Sequence, residues 1–399
     1  MPAPLRVTLV GGGLGGLAAA AFLLRAGVDV QVYEQSPRLR EVGAGIVVAP
    51  NMVRLLDALG LHEALEACAV KLDAAWEFRR WEDGRVLSAQ PMGETCVRMY
   101  GTHCYVAHRA DLLAMLHGAL PPGIAHLGRR CLGVLPQGDD AIAVHWSERD
   151  GSEHVTETDA VIGADGIHSV LRPYVEPAID VRFSGLCAFR GLVPAEDAPA
   201  FARRAVQTLW LGPGRHFVHY PISSGRLVNL VGIVPAGDWR DESWLAEGTV
   251  DDLRAEYAGW DARVLQLIDG VRSTQRWAMY DRSPLPRWSR GRVALLGDAA
   301  HAMLPFFAQG AAQALEDAAV LAACLRGVGR DGVAEALARY DAIRRPRASE
   351  VQLMSRGREV QNHLPDGPAQ AARDETLASA EPLRQSAWLY GHDALAACS

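Results

Sequence analysis

Gly11, Gly13 and Gly16 stand at G-x-G-x-x-G spacing in "VTLVGGGLGGLAAAAFLLRAGVDVQVYEQ", and Glu34 follows 18 residues after Gly16. This combination suits a dinucleotide. Gly11 allows a tight turn, Gly13 lets the backbone approach the phosphates, and Gly16 lets a helix pack close to a sheet. Amides at the helix start then face the pyrophosphate, aided by the helix dipole. Glu34 can bind ribose hydroxyls, and an acid there rather than an Arg disfavours a 2′-phosphate. It does not separate NAD from FAD. Two later stretches repeat the theme. "AVIGADGIHSVLR" places Asp165-Gly166 at a strand end, followed by Ser169 and Arg172. "RVALLGDAAHAMLPFFAQGAAQALEDA" places Gly297-Asp298 after another strand, with a glycine turn at Gly310 opening a helix. A strand-end Asp-Gly alone is usually only a turn.

These residues need elements to position them. Leu5 to Val10 is short, apolar and β-branched enough for a buried strand. The helix after Asn51 ("NMVRLLDALGLHEAL") is amphipathic. Residues 72 to 106 carry alternating, aromatic-rich pieces ("AAWEFRRWEDGRVL", "HCYVAH") that suit antiparallel strands. "HRADLLAMLHGAL" starts a helix with an Asp in its first turn. "AIAVHWSERDGSEHVTETDAVIGADG" reads as a hairpin leading into a further buried strand. From 182 to 280 the pattern is mostly strand-like, and helices follow "RVALLGDAAH" to the end. The expected class is α/β: a Rossmann-type domain with an inserted β-rich domain and C-terminal helices. Its segments are 1–71, 105–181 and 282–345 for the nucleotide unit, 72–104 and 182–281 for the inserted sheet, and 346–399 for the tail.

Composition narrows the function classes. A chain of 399 residues holds two or three packed units, and a net charge of −7 gives no basic footprint for nucleic acid. No signal peptide or membrane span is apparent. Seven cysteines lie scattered without a C-x-x-C pair, which suits reduced thiols in a cytoplasm rather than a disulfide framework or zinc site. No His/Cys/Asp cluster has metal-ligand spacing.

The three motifs, in this order, resemble the single-component FAD-dependent aromatic hydroxylases, the group of para-hydroxybenzoate hydroxylase. The look is nearest to salicylate hydroxylase, 3-hydroxybenzoate 6-hydroxylase and 6-hydroxynicotinate 3-monooxygenase. The resemblance runs from Val7 to the "WLYGHD" tail. It implies a permanently held FAD, with NADH or NADPH as co-substrate. Gly11, Gly13, Leu14 and Gly16 with Glu34 would hold the ADP half. Arg109 would contact the cofactor, against the plainer reading of a surface pair with Asp111, and Cys131 would bind through its backbone. Asp298 would accept from ribityl or ribose hydroxyls. The helix opening at Gln309, Gly310 and Ala311 would point its positive end at the pyrimidine edge of the flavin. Asp165 and Gly166 would serve both FAD and NAD(P)H, so no second nucleotide unit is needed.

The implied reaction reduces the flavin with NAD(P)H, forms a C4a-hydroperoxide with O2 and transfers oxygen to a phenol ring. It needs a partner for the phenol and a site closed to water. In "GPGRHFVHYPI", a strand puts His216, Val218 and Tyr220 on one face and Phe217 and His219 on the other. Four residues span about 13 Å, so His216 and Tyr220 would flank a small ring; alternatively His216 only packs. Arg190 or Arg98 would suit a substrate carboxylate by bidentate pairing. Pro305 falls where the family places a residue over the reacting edge of the flavin. Val47, in "GAGIVVAPN", stands where relatives acting on 6-hydroxynicotinate carry a histidine base, which disfavours that substrate. Salicylate, decarboxylated to catechol, is the leading expectation and 3-hydroxybenzoate the next; a hydroxypyridine-carboxylate hydroxylase or a flavin reductase without oxygen transfer are alternatives. The expected partners are a small aromatic acid, NAD(P)H and O2, without nucleic acid or membrane, for a monomer or homodimer.

Overall fold

The computed structural model describes residues 4–39, 45–138, 140–176, 180–242, 246–379 and 381–398. Arg6–Val10 lies within a six-stranded sheet ordered Ser289–Arg290, Val293–Leu295, Ala160–Gly163, Arg6–Val10, Asp29–Glu34, Ala125–Leu127. Five strands are parallel, and Ser289–Arg290 is an antiparallel edge. A parallel sheet covered on both faces needs continuous apolar strands. Ala160–Gly163 is accordingly buried throughout, and Arg6–Val10 is buried after its first residue. The chain leaves Arg6–Val10 towards Asp29–Glu34, while Ala160–Gly163 lies on the opposite side. Such a divergence opens a crevice at the carboxyl ends of the strands.

Two glycines make that crevice possible. Gly11 sits at φ +109°, and a Cβ there would stand 2.2 Å from the Ala164 carbonyl oxygen. A Cβ on Gly16 would stand 2.0 Å from the Gly11 carbonyl oxygen. Neither distance is tolerable, so the loop and the helix Leu14–Arg25 require glycine at both positions.

The second large sheet has eight strands: Glu247–Gly248, Thr274–Asp281, Arg182–Pro194, Leu227–Pro235, Arg215–Ile222, Val206–Gly212, Ala75–Arg80, Val86–Gln90. All neighbours are antiparallel except Val206–Gly212 against Ala75–Arg80. Register aligns its residues in rows: Ala188, Ile233 and His216; Arg190, Val231 and Val218; Leu192, Asn229 and Tyr220. Residues directly opposite each other share a face, so these rows form one side. Phe189 and Phe217 belong to the other side, where they pack with Leu253, Tyr257, Val264 and Leu267.

Those last residues come from helices, Val250–Glu256 and Ala262–Asp269, inside the stretch read as mostly strand. Thr249 and Asp261 cap them by accepting from the backbone N–H of Asp252 and Arg263. The pieces of 72–106 read as strands do hold strands, Tyr105–His108 among them, and the stretch between those pieces adds a helix. Ala75–Arg80 and Val86–Gln90 are strands, but Gly93–Tyr100 is a helix. Met92, Cys96 and Tyr100 recur every four residues and are buried, and Gly101 at φ +78° ends the helix. Among the described residues no helix is long and apolar enough to cross a membrane, and all seven cysteines carry free thiols.

Candidate active site

Glu34 ends its strand with the carboxylate already oriented. It accepts from the backbone N–H of Gly12 at 2.8 Å and of Ser36 at 2.7 Å. Gly13 precedes the helix, and a Cβ built on it meets nothing within 4 Å, so its backbone borders open space. The Leu14 side chain is buried in the core, which leaves its backbone N–H for any ligand. Arg109 opens the helix Arg109–Gly118, directly after the strand Tyr105–His108. Asp111 accepts from the Ser223 hydroxyl at 2.7 Å. Cys131 is buried in a strand, its thiol pushed up to about 12 by burial and donating to the Gly133 carbonyl at 3.8 Å. Beside Glu34, the ring of Tyr33 stacks on Trp146 at 4.2 Å and on His126 at 4.7 Å.

Asp165 follows the strand Ala160–Gly163. Its Oδ2 accepts from the N–H of Val170 at 2.8 Å, whereas its buried Oδ1 has no partner among the described residues. Burial raises its carboxyl above the usual range. Ser169 Oγ accepts from the Arg172 N–H, and Arg172 donates from its side chain to the Ile167 carbonyl. Gly166 adopts φ +77° in the same turn.

The third motif rests on a buried charge cluster that sequence reasoning did not single out. Gly297 turns at φ +63°, and exposed Asp298 opens the short helix Asp298–His301. Asp317 accepts from the Gly297 N–H at 3.0 Å, sits 2.6 Å from His301 Nε2, and accepts from Arg344 Nε at 2.8 Å. Glu316 accepts from Arg344 at 2.7 Å, Arg347 at 2.8 Å and Asn51 at 2.8 Å. Asn51 also donates to Gln309 Oε1 at 3.0 Å. Burial alone would raise both carboxyls, but Arg344 and Arg347 on Glu316, and His301 and Arg344 on Asp317, hold them below the ordinary range. The only hint in the sequence was two adjacent acids, "LEDA", inside an apolar helix.

Between Asp298 and that helix the chain makes the turn Pro305–Phe307, then Ala308 at φ +52°, and Gly310–Leu325 begins at once. The first amides of this helix, including Gly310 and Ala311, lack intrahelical acceptors. The turn packs against the inner face of the large sheet. Phe306 clusters with Ala188, Ile233 and Trp277, and Phe307 with Tyr220, Val218 and Val47. Pro305 itself is exposed.

His216 and Tyr220 share that inner face, two rows apart. His216 Nδ1 lies 2.7 Å from His363 Nε2, and Phe306 lies beside its ring at 5.6 Å. Burial and the second imidazole drive His216 well below its usual pKa, and burial takes His363 down to about 4. Burial raises the Tyr220 phenol, opposed by nearby Arg190. Arg190 places its guanidinium 3.5 Å from the centre of the Trp277 ring. Asn229 accepts from the Gly45 N–H at 2.8 Å, and its buried Nδ2 has no partner among the described residues. His219 lies on the opposite face against Phe201, with both ring nitrogens buried. Arg98 is exposed on the helix Gly93–Tyr100 and donates to Thr95, so of the two arginines only Arg190 reaches this face.

A glycine loop at a strand-order switch, an unpaired buried carboxylate oxygen and a helix start, all gathered beside an antiparallel sheet, define a dinucleotide-binding protein. The chain belongs to the family described as FAD binding domain, which it matches over residues 5–355. It is 42% identical to a 3-amino-4-hydroxybenzoate 2-monooxygenase of Streptomyces platensis over 98% of this chain and 96% of that one. It is 36% identical to a salicylate hydroxylase of Pseudomonas putida, covering 98% and 93%. The crystal structure of Klebsiella pneumoniae HpxO with FAD and uric acid superposes with a TM-score of 0.84 at 29% identity, covering 98% and 97%. The protein is an FAD-dependent aromatic monooxygenase. Gly13, Asp165 and the amides at Gly310 offer phosphate, hydroxyl and ring-edge contacts of the kinds FAD requires.

Proposed function

We propose that this enzyme hydroxylates a small phenolic benzoate, with an aminohydroxybenzoate as the leading substrate. The carrying observation is that Arg190, Tyr220 and His216 share the sheet face covered by the Met303–Ala308 turn. FAD, when bound, accepts a hydride from NAD(P)H and activates O2; one oxygen atom enters the ring and the other leaves as water. Residues 1–71, 105–181 and 282–345 form the cofactor unit in this reading, and 72–104 and 182–281 the substrate sheet. Arg190 pairs with the carboxylate. Tyr220, kept protonated by burial, donates to the phenol oxygen. Neutral His216 flanks the other end of the substrate ring, about 13 Å along the strand from Tyr220, and His363 holds its imidazole. The Val47 and Phe307 side chains exclude water beside it.

The 42% identity across almost the whole chain favours a 3-amino-4-hydroxybenzoate-like substrate. Salicylate, decarboxylated to catechol, is the second reading and rests on the 36% relative. Glu34 serves the FAD ribose and so does not select the nicotinamide; NADH is the proposed reductant because no arginine cluster among the described residues stands out for a 2′-phosphate. The test follows NADH and NADPH consumption, O2 uptake, product and H2O2 with 3-amino-4-hydroxybenzoate, salicylate, 3-hydroxybenzoate and 6-hydroxynicotinate. Coupled product is expected from the first with NADH. Better coupling on salicylate would move the assignment to the second reading, and no substrate-triggered O2 uptake on any of them would end both.

The cofactor roles have their own test. Asp298→Ala should weaken FAD binding by roughly 10- to 150-fold, since a charge-assisted hydrogen bond contributes about 1.5–3 kcal/mol. Flavin fluorescence titration reads this directly. Asp298 is exposed, so the apoprotein should keep its melting temperature, and unchanged FAD affinity would remove Asp298 from the site.

A further inference from the structure

A cavity of about 120 Å3 lies away from Arg190, between the far strands of the large sheet and the C-terminal helices. Phe78, Leu211 and Leu377 give it an apolar wall, and Arg358, Asn362 and Gln385 line its polar side. Phe78 and Leu211 stand on strands four and three places from the strand of Arg190, about 14–19 Å across the sheet, on the same face, with Leu211 directly opposite His216.

The charges around this cavity do not balance. Arg373 is neutralised by Asp374, which accepts from its Nη2 at 2.8 Å, and it also donates to the Gln361 carbonyl at 2.9 Å. Arg358 has no such partner: among the described residues no carboxylate pairs with it, and its guanidinium stands 5.2 Å from the Phe307 ring centre. Burial disfavours its charge, Tyr390 works the other way and nearby Arg373 adds to burial, with a net lowering. A half-buried cation without a counter-charge is costly, and a bound monoanion offsets that cost. Asn362 is itself buried, and its side-chain amide adds a polar group at the same end.

One spare positive charge selects a monoanion, and the apolar wall selects a ligand with a small apolar body. We propose that this cavity binds a small aromatic or alkyl monocarboxylate, at a site distinct from the one at Arg190. Phe307 connects the two, because it packs against the apolar cluster that contains Tyr220 and its ring centre lies 5.2 Å from the Arg358 guanidinium. The cavity and its charge carry this inference, and only the Arg190 arm of its test rests on the reaction proposed above.

Benzoate, which lacks a phenol, is the probe. FAD-loaded protein is titrated by calorimetry and equilibrium dialysis, and benzoate should occupy one site governed by Arg190 and one governed by Arg358. Arg358→Gln should weaken one of these by roughly 30-fold or more and leave the other, while Arg190→Gln does the converse. Neutral benzamide should not bind at Arg358. Arg358→Lys, which keeps the charge, should retain weakened binding. If Arg358→Gln does not fold, Leu377→Trp fills the cavity with the arginine intact and should abolish the same site. A single benzoate that depends on Arg190 and ignores both Arg358→Gln and Leu377→Trp would overturn the proposal.

Discussion

Arg344→Ala is expected to cost about 3–5 kcal/mol of stability, because it removes one partner of a buried ion cluster and leaves charge unpaired. Glu316, Asp317 and Arg344 are at most 1% exposed, so the two carboxylates would be left without a counter-charge away from bulk water. That loss is a large share of the 5–15 kcal/mol typical of a whole domain. The damage should also reach the cofactor. Asp317 fixes the Gly297 N–H just before Asp298, and Glu316 reaches Gln309 through Asn51. Chemical denaturation of apo- and FAD-loaded protein checks both effects, with bound flavin per chain as the second readout. Arg344→Met combined with Glu316→Gln should recover part of the loss, because one of the stranded charges is then gone. The pH dependence follows from the lowered carboxyls. Their stabilisation is present above the ordinary carboxylate range and is lost as pH falls through the folded-state values. A midpoint unchanged by Arg344→Ala would show that the cluster carries no net stability.

The second large effect concerns oxygen transfer. His216→Ala and Tyr220→Phe should each lower the hydroxylation rate by about 10²–10⁴-fold, the range typical of losing one proton-handling group. Reduction needs only nicotinamide against flavin, so substrate-dependent NADH oxidation and bound FAD should persist. A ring held out of position receives no oxygen, and the electrons appear as H2O2. The ratio of H2O2 to product is therefore the decisive measurement. His216 also packs on Phe306 and His363, so His216→Gln, which keeps a polar group of similar reach, should restore part of the coupling. Coupled turnover near the wild-type rate in both variants would return this strand to a packing role.

The parts of this protein that the sequence determined by itself are those set by neighbours along the chain. Gly11 and Gly16 are five residues apart, and the clash that forbids a Cβ at Gly16 is with the Gly11 carbonyl. Alternation along Arg215–Ile222 likewise decided that His216 and Tyr220 share a face, because strand geometry repeats every two residues. What those faces meet depended on the tertiary structure. His363 reaches His216 from 147 positions away, and Arg344 reaches Asp317 from 27. Arg190 and Arg98 are equivalent as residue types, yet the strand of Arg190 places it on the inner face while the helix Gly93–Tyr100 leaves Arg98 in solvent. Local periodicity fixes the direction of a side chain relative to its own element. Only the order of strands and the path of the returning helices decide which cation meets a buried carboxylate and which is left beside an empty wall.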